Sequence, residues 1–187
     1  DPAGRPHLAY GGDALYYAYH DGAAWHREEV SGLESGMYAS LAVDAAGHRH
    51  IAFMGGNEEH TSSVLKYAYH DGTAWSITTV DNAEAAGSYT SIAVDGAGRP
   101  HISYLAYDGL RYATYDGAWQ VEHIAGAYWA TTIAVDPSGR PHIAYLIWPN
   151  RHLAYASRGP SGWEIQVLHT DWAGTPSIAV DGSGQPA

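Results

Sequence analysis

The sequence predicts an all-β fold, a four-bladed β-propeller of four-stranded antiparallel blades or a four-blade portion of a larger one, and three observations predict it. A marker, Asp-x-x-Gly-x-x-His, occurs at residues 1–7, 44–50, 95–101 and 136–142 and returns at 181–187 with Ala in the last place. Its Asp residues lie 43, 51, 41 and 45 apart, a period that four-stranded blades show. Apolar residues around each marker alternate with period two, as in strands. Aromatics comprise 15 Tyr and 7 Trp against a single Phe, which suits sheets whose side chains keep a polar tip near water.

Each unit divides into four short strands. The first is Ser/Thr-Ile/Leu-Ala-Val-Asp, at 40–44, 91–95, 132–136 and 177–181. The second starts at the marker histidine: His7, His50, His101 or His142. The third reads Leu-x-Tyr-Ala from Leu15, Leu65, Leu110 and Leu153, and Asp-Gly closes it at Asp21, Asp71 and Asp116. Asp-Gly between alternating segments is a hairpin signal, because Gly supplies the positive φ such turns need. The fourth starts at Trp25, Trp75, Trp119 and Trp163. Alternation sets Ile102 and Tyr104 against Ser103, and Leu65, Tyr67 and Tyr69 against Lys66, Ala68 and His70. That pattern predicts a bulky face and a small face on each sheet, stacked radially.

The units run approximately over 1–39, 40–90, 91–131 and 132–176 of a single domain, 1–187. Residues 177–187 remain. Strand 177–181 is expected to complete the blade that begins the chain and close the ring, since closure removes open sheet edges. The turn is encoded at both ends, however, and only one copy fits in that place.

Charge and composition exclude several functions. Twenty acidic against nine basic residues give a formal charge of -11 with no basic cluster, so nucleic acid is not an expected partner. No cysteine is present, which excludes disulfides and thiolate-bound zinc. No apolar run reaches the roughly 20 residues that span a bilayer, so membrane insertion is not expected. The chain opens on Asp1 without an initiator Met, which fits a processed secreted protein, an excised fragment, or a chain whose true ends are not represented; the expected location is extracellular or at the cell surface.

The repeated polar residues read as scaffold. One histidine per blade (His7, His50, His101, His142) is spread round the ring, whereas a metal needs its ligands at about 2.0–2.3 Å from one centre. A hydrogen bond from His50 to the turn containing Asp44, with the equivalent in each copy, is the expected role, and Asp44, Asp95, Asp136 and Asp181 read as the repeated turn residues. Trp25, Trp75, Trp119 and Trp163 read as repeated core. No nucleophile elbow or phosphate-cradling loop occurs, and no cofactor or metal is implied. Candidate ligand-binding residues lie instead in the variable loops: Glu58, His60, Tyr107, Trp129, Trp148, Arg151 and Trp172. Aromatic platforms beside carboxylates and an Arg suit carbohydrate, whose ring faces stack while hydroxyls need polar partners.

The order Ser-Ile-Ala-Val-Asp, His-Ile-Ala-Tyr, Leu-x-Tyr-Ala-x-Tyr-Asp-Gly-x-Trp resembles the blades of fucose-binding lectin propellers and is similar to bacterial sialidase-like repeat proteins. The lectin resemblance implies a sugar between adjacent blades, held by an Arg of strand two, a Glu of strand three and an aromatic. His7, His50, His101 and His142 stand where that Arg would be, and Tyr17, Tyr67, Tyr112 and Tyr155 where the Glu would be. The resemblance therefore carries the architecture and not the fucose contacts. Three functions follow in order: a non-catalytic extracellular module binding glycans on the variable-loop face, a filament-forming subunit that self-associates through its C-terminal strand, and a sialidase-type hydrolase.

Overall fold

The computed structural model describes residues 1–32, 35–56, 62–126 and 129–186, and within them 15 strands build four antiparallel sheets. The first sheet orders β1 (His7–Gly11), β2 (Leu15–His20) and β3 (Trp25–Ser31). The second contains β4 (Ser35–Val43), β5 (Arg49–Gly56), β6 (Ser63–His70) and β7 (Trp75–Asp81). The third contains β8 (Ser88–Val94), β9 (Pro100–Ala106), β10 (Gly109–Tyr115) and β11 (Trp119–Ala125), and the fourth β12 (Trp129–Val135), β13 (Pro141–Ile147), β14 (His152–Gly159) and β15 (Gly162–His169). Strands pair only with sequence neighbours, so each sheet is a meander of one repeat. Among the described residues no helix is long and apolar enough to cross a membrane.

Successive sheets pack face to face, β4 against β1 and β8, and β8 against β12. One apolar cluster fills each of these spaces: Leu15, Tyr17, Ile51 and Phe53 between the first two sheets, Leu65, Ile92, Ile102 and Tyr104 in the middle, and Leu110, Tyr112, Ile143 and Tyr145 between the last two. The expected division into one bulky and one small face does not hold. Ile102 pairs with Ala113 and Ser103 with Tyr112 across the ladder, so the large residues of the second and third strands face opposite neighbours. Each face thus carries one large row beside one small row, which lets two identical sheets interdigitate at core density.

The first strand of each complete sheet starts earlier than its sequence motif. Its ladder shifts register between Ser35 and Ser40, between Ser88 and Ser91, and between Trp129 and Thr131. Tyr38, Tyr89 and Ala130 hold positive φ (53°, 51° and 24°) at these bulges, two residues before the Ser or Thr of the motif. A bulge adds a residue that alternation cannot reveal.

The C-terminal segment also differs from expectation. Residues 177–181 form no ladder with β1, and only an isolated bridge joins Val180 to Pro186. The marker turn at Asp181 closes on itself instead. Asp181 N–H donates to Gln185 O (2.9 Å) and Gly184 N–H to Asp181 O (3.0 Å), while Gly184 lies against Asp136 of the fourth sheet.

Candidate functional site

The repeated turn fixes the surroundings of the marker histidines. In each copy the Asp side chain accepts backbone N–H groups two and four residues on, as Asp95 Oδ1 does from Ala97 and Arg99 (both 2.9 Å). Burial pulls the Asp136 carboxyl up, but bonds from Ser138 Oγ–H and the Arg140 N–H outweigh it and hold the pKa at about 2. The histidine ring then stands between this carboxylate and a tyrosine of the third strand. Nδ1 of His50, His101 and His142 lies 2.6 Å from the hydroxyls of Tyr67, Tyr112 and Tyr155, and His7 meets Tyr17 likewise. The aspartate oxygens are more distant from Nε2, at 3.3–3.6 Å in the four copies. Tyrosine is therefore the closer partner, where the sequence had pointed to the turn alone. Burial lowers the pKa of His7, His50 and His101, which keeps these rings neutral at pH 7.

The same tyrosines receive the tryptophans of the next sheet. Trp75 meets Tyr17 edge-on at 5.4 Å, Trp119 meets Tyr67 at 5.0 Å, and Trp163 meets Tyr112 at 5.0 Å. An indole placed there needs an acceptor for its N–H. The residue opposite the tyrosine on the outer strand supplies it twice: Glu28, paired with Tyr17, accepts from Trp75 (3.1 Å), and Glu122, paired with Tyr112, accepts from Trp163 (2.9 Å). A guanidinium lies at each of these two junctions. Arg49 Nε–H donates to Tyr17 (3.2 Å), and Arg158 pairs with Glu122.

Both fillers are missing at the junction of the second and third sheets. Thr78 stands opposite Tyr67; Pro100 takes the ladder position that Arg49 holds in the preceding sheet, as Pro141 does in the fourth, and Tyr115 takes the position from which Arg158 reaches Glu122. Among the described residues no acceptor meets Trp119 Nε1. A pocket of about 420 Å³ opens there, walled by the rings of Tyr69, Tyr115 and Trp119, with Tyr67, Ser76, Thr78 and His50 adding polar groups. Aromatic faces beside hydroxyls and an unfilled donor can hold a compact polyhydroxylated molecule.

The variable loops bring together a different group. Arg151 lies 4.3 Å over the Trp129 ring and 5.4 Å over Trp172, and Trp129 and Trp148 lie 6.0 Å apart. The Ala173 N–H donates to Arg151 O (3.1 Å) and ties the post-β15 segment to this loop. Four predicted residues thus form one cluster, with Trp148 and Trp172 exposed. Tyr107, also exposed, makes no ring contact or hydrogen bond with it; its N–H bonds Glu84 O (2.8 Å). Glu58 and His60 lie outside the described residues. The pocket was not anticipated, since it combines residues assigned to scaffold (His50, Trp119) with Tyr69, Tyr115, Ser76 and Thr78. Its signal was present in the aligned repeats, where one column reads Glu28, Thr78, Glu122, Gln166. Among the described residues no group of three or more His, Asp or Glu could hold a metal.

Stacked antiparallel sheets bearing a site at one junction define a class of all-β repeat protein, and comparison with solved structures agrees at the level of fold. A Hadza microbial sialidase superposes with a TM-score of 0.57 at 14% identity, over 84% of this chain and 41% of its own. The NanB sialidase of Streptococcus pneumoniae (K499G mutant) gives 0.52 at 16%, over 75% and 25%, and a putative gluconolactonase gives 0.52 at 13%, over 94% and 64%. The chain therefore spans from a quarter to just under two thirds of these proteins. No family model and no curated protein matches the sequence.

Proposed function

We propose that this chain is a non-catalytic, extracellular carbohydrate-binding module of propeller type, with its sheets as radially stacked blades and a sugar ring held between the second and third. The observation that carries the reading is the junction where Thr78 stands in the place that Glu28 and Glu122 fill at the other two. Its indole N–H lacks an acceptor, and aromatic rings wall the space that results. A sugar hydroxyl would accept from Trp119 Nε1 while the apolar face of the ring lies on an aromatic wall. Because the repeated turns end beside it, the pocket belongs to the short-turn end of the sheets. The variable loops lie at the other end.

The test is binding to a glycan array followed by titration of the sugars retained, read by Trp fluorescence. Binding is expected to vanish in Thr78→Glu and to survive Trp172→Ala. A silent array would overturn the reading. The loop cluster is the second reading, favoured by the stacking of Arg151 between two indoles; loss in Trp172→Ala with retention in Thr78→Glu would move the site there.

A further inference from the structure

Three junctions between successive sheets repeat one tryptophan–tyrosine contact, two of them add the same backbone contacts, and the two outer faces of the array each carry half of a fourth. At a junction the tryptophan of the following sheet meets the tyrosine of the preceding one. Backbone N–H groups of Ile92 and Ile133 donate to Ser40 Oγ (3.1 Å) and Ser91 Oγ (3.2 Å) of the sheet before. At the second and third junctions the turn glycine lies over the aspartate of the preceding turn, Gly98 over Asp44 and Gly139 over Asp95. The fourth sheet offers the receiving half of this set: Tyr155, with Gln166 opposite it, Thr132 and Asp136. The first sheet offers the inserting half, Trp25, which is 53% exposed.

Part of the fourth junction is already made. Gly184 lies over Asp136 as Gly98 and Gly139 lie over theirs, so the turn that follows the strand segment 177–180 sits where the turn of a next sheet would. What that strand lacks is a ladder partner, and β1 is an edge. β1 and β2 pack on β4, while among the described residues no extensive packing joins a strand of the first sheet to one of the fourth.

We propose that the first sheet of a second copy of this chain docks on the fourth sheet, with Trp25 of one copy on Tyr155 of the other. Residues 177–180 of the first copy would lie along β1 of the second, Ser177 opposite Ala9, Ile178 opposite Leu8 and Ala179 opposite His7. This is the register of Ser40 with Ala52, Leu41 with Ile51 and Ala42 with His50. The Asp181 turn then takes the place of the Asp1 turn, remaking the same bonds: Asp1 N to Arg5 O and Asp181 N to Gln185 O are both 2.9 Å. Strand addition satisfies the edge through main-chain bonds, and inserting and receiving faces differ, so the association is head-to-tail.

The test measures mass by light scattering and sedimentation over a range of concentrations. The unaltered chain is expected to pass from monomer to dimer or larger as concentration rises. Trp25→Glu and Gln166→Lys each spoil one half-junction at an exposed position, so each is expected to remain monomeric. Mixed together they are expected to give a 1:1 heterodimer through the single junction still intact, which also shows that both variants are folded. A chain monomeric at every concentration, association unchanged in either variant, or a mixture that stays monomeric would each overturn the proposal. The first of these outcomes is what closure of one chain on itself gives.

Discussion

Thr78 faces Tyr67 across the β6–β7 ladder at the position where Glu28 and Glu122 accept an indole N–H, so a carboxylate placed there has a donor waiting. Thr78→Glu is expected to leave the fold intact and to add about 1 kcal/mol of stability, the net worth of an ordinary intramolecular hydrogen bond because the position is exposed, read from a urea transition. A loss of stability would show that the indole N–H is not aimed at that position. The marker histidines set the response to pH. Burial lowers the pKa of His7, His50 and His101 below the unfolded value of 6.5, so the native state binds fewer protons than the unfolded chain. Their contribution to stability is complete above about pH 6.5 and is lost as pH falls through the lowered values. The turn aspartates follow at lower pH, Asp136 between 3.8 and about 2. Denaturation midpoints are therefore expected to be level from pH 7 to 8 and to decline below 6.5; a midpoint that rises on acidification would contradict this assignment.

At the scale of the strand and its turn, the bulges decide where glycine is required. Gly87 has φ of 97°, and a Cβ there would lie 3.1 Å from Met54 Cα and 3.2 Å from Leu65 Cα; Gly36 stands equivalently, with Leu15 Cα at 2.9 Å. Both the conformation and the space exclude a side chain. Gly87→Ala is expected to lower stability by about 1–3 kcal/mol, whereas Gly22→Ala, in an open turn, carries only the cost of its φ. Comparing the two thermal midpoints checks this. Strand order, the Asp-Gly hairpins and the starts of the outer strands were legible in the sequence because the repeat states each of them several times. The early starts of β4, β8 and β12 were not, since a bulge interrupts alternation just where the copies diverge. The pocket was hidden for a different reason: its walls include repeated residues, and one departure from the repeat, Thr78 where Glu28 and Glu122 stand, opens it beside Pro100, which the repeat keeps at Pro6 and Pro141. The loop cluster was legible as composition, because Trp129, Trp148, Arg151 and Trp172 have no counterparts in the other copies, but its stacking depends on how two separate loops return to one end of the sheet.

For the molecule as a whole, the apolar clusters lie between sheets and share no member, so stability is carried by successive neighbour interfaces and not by one central core. Ile51 belongs to the space between the first and second sheets and Ile143 to that between the third and fourth, both fully buried. Truncating either to Ala removes three carbons and leaves a cavity, at a cost of about 2–5 kcal/mol. Because they have no packing neighbour in common, the double substitution is expected to cost the sum of the two within about 0.5 kcal/mol. Leu65 and Ile102 pack in one cluster, the one beneath the pocket, and their double substitution is expected to depart from the sum, since the first cavity relaxes the walls of the second. Four single and two double variants followed by urea denaturation separate the cases. A coupling of more than about 1 kcal/mol between Ile51 and Ile143 would mean that strain crosses two sheets, and that the junctions are not independent units. Additivity would also explain how one junction can carry Thr where its neighbours carry Glu, opening a pocket, while those neighbours keep their carboxylates and hold the stack in place.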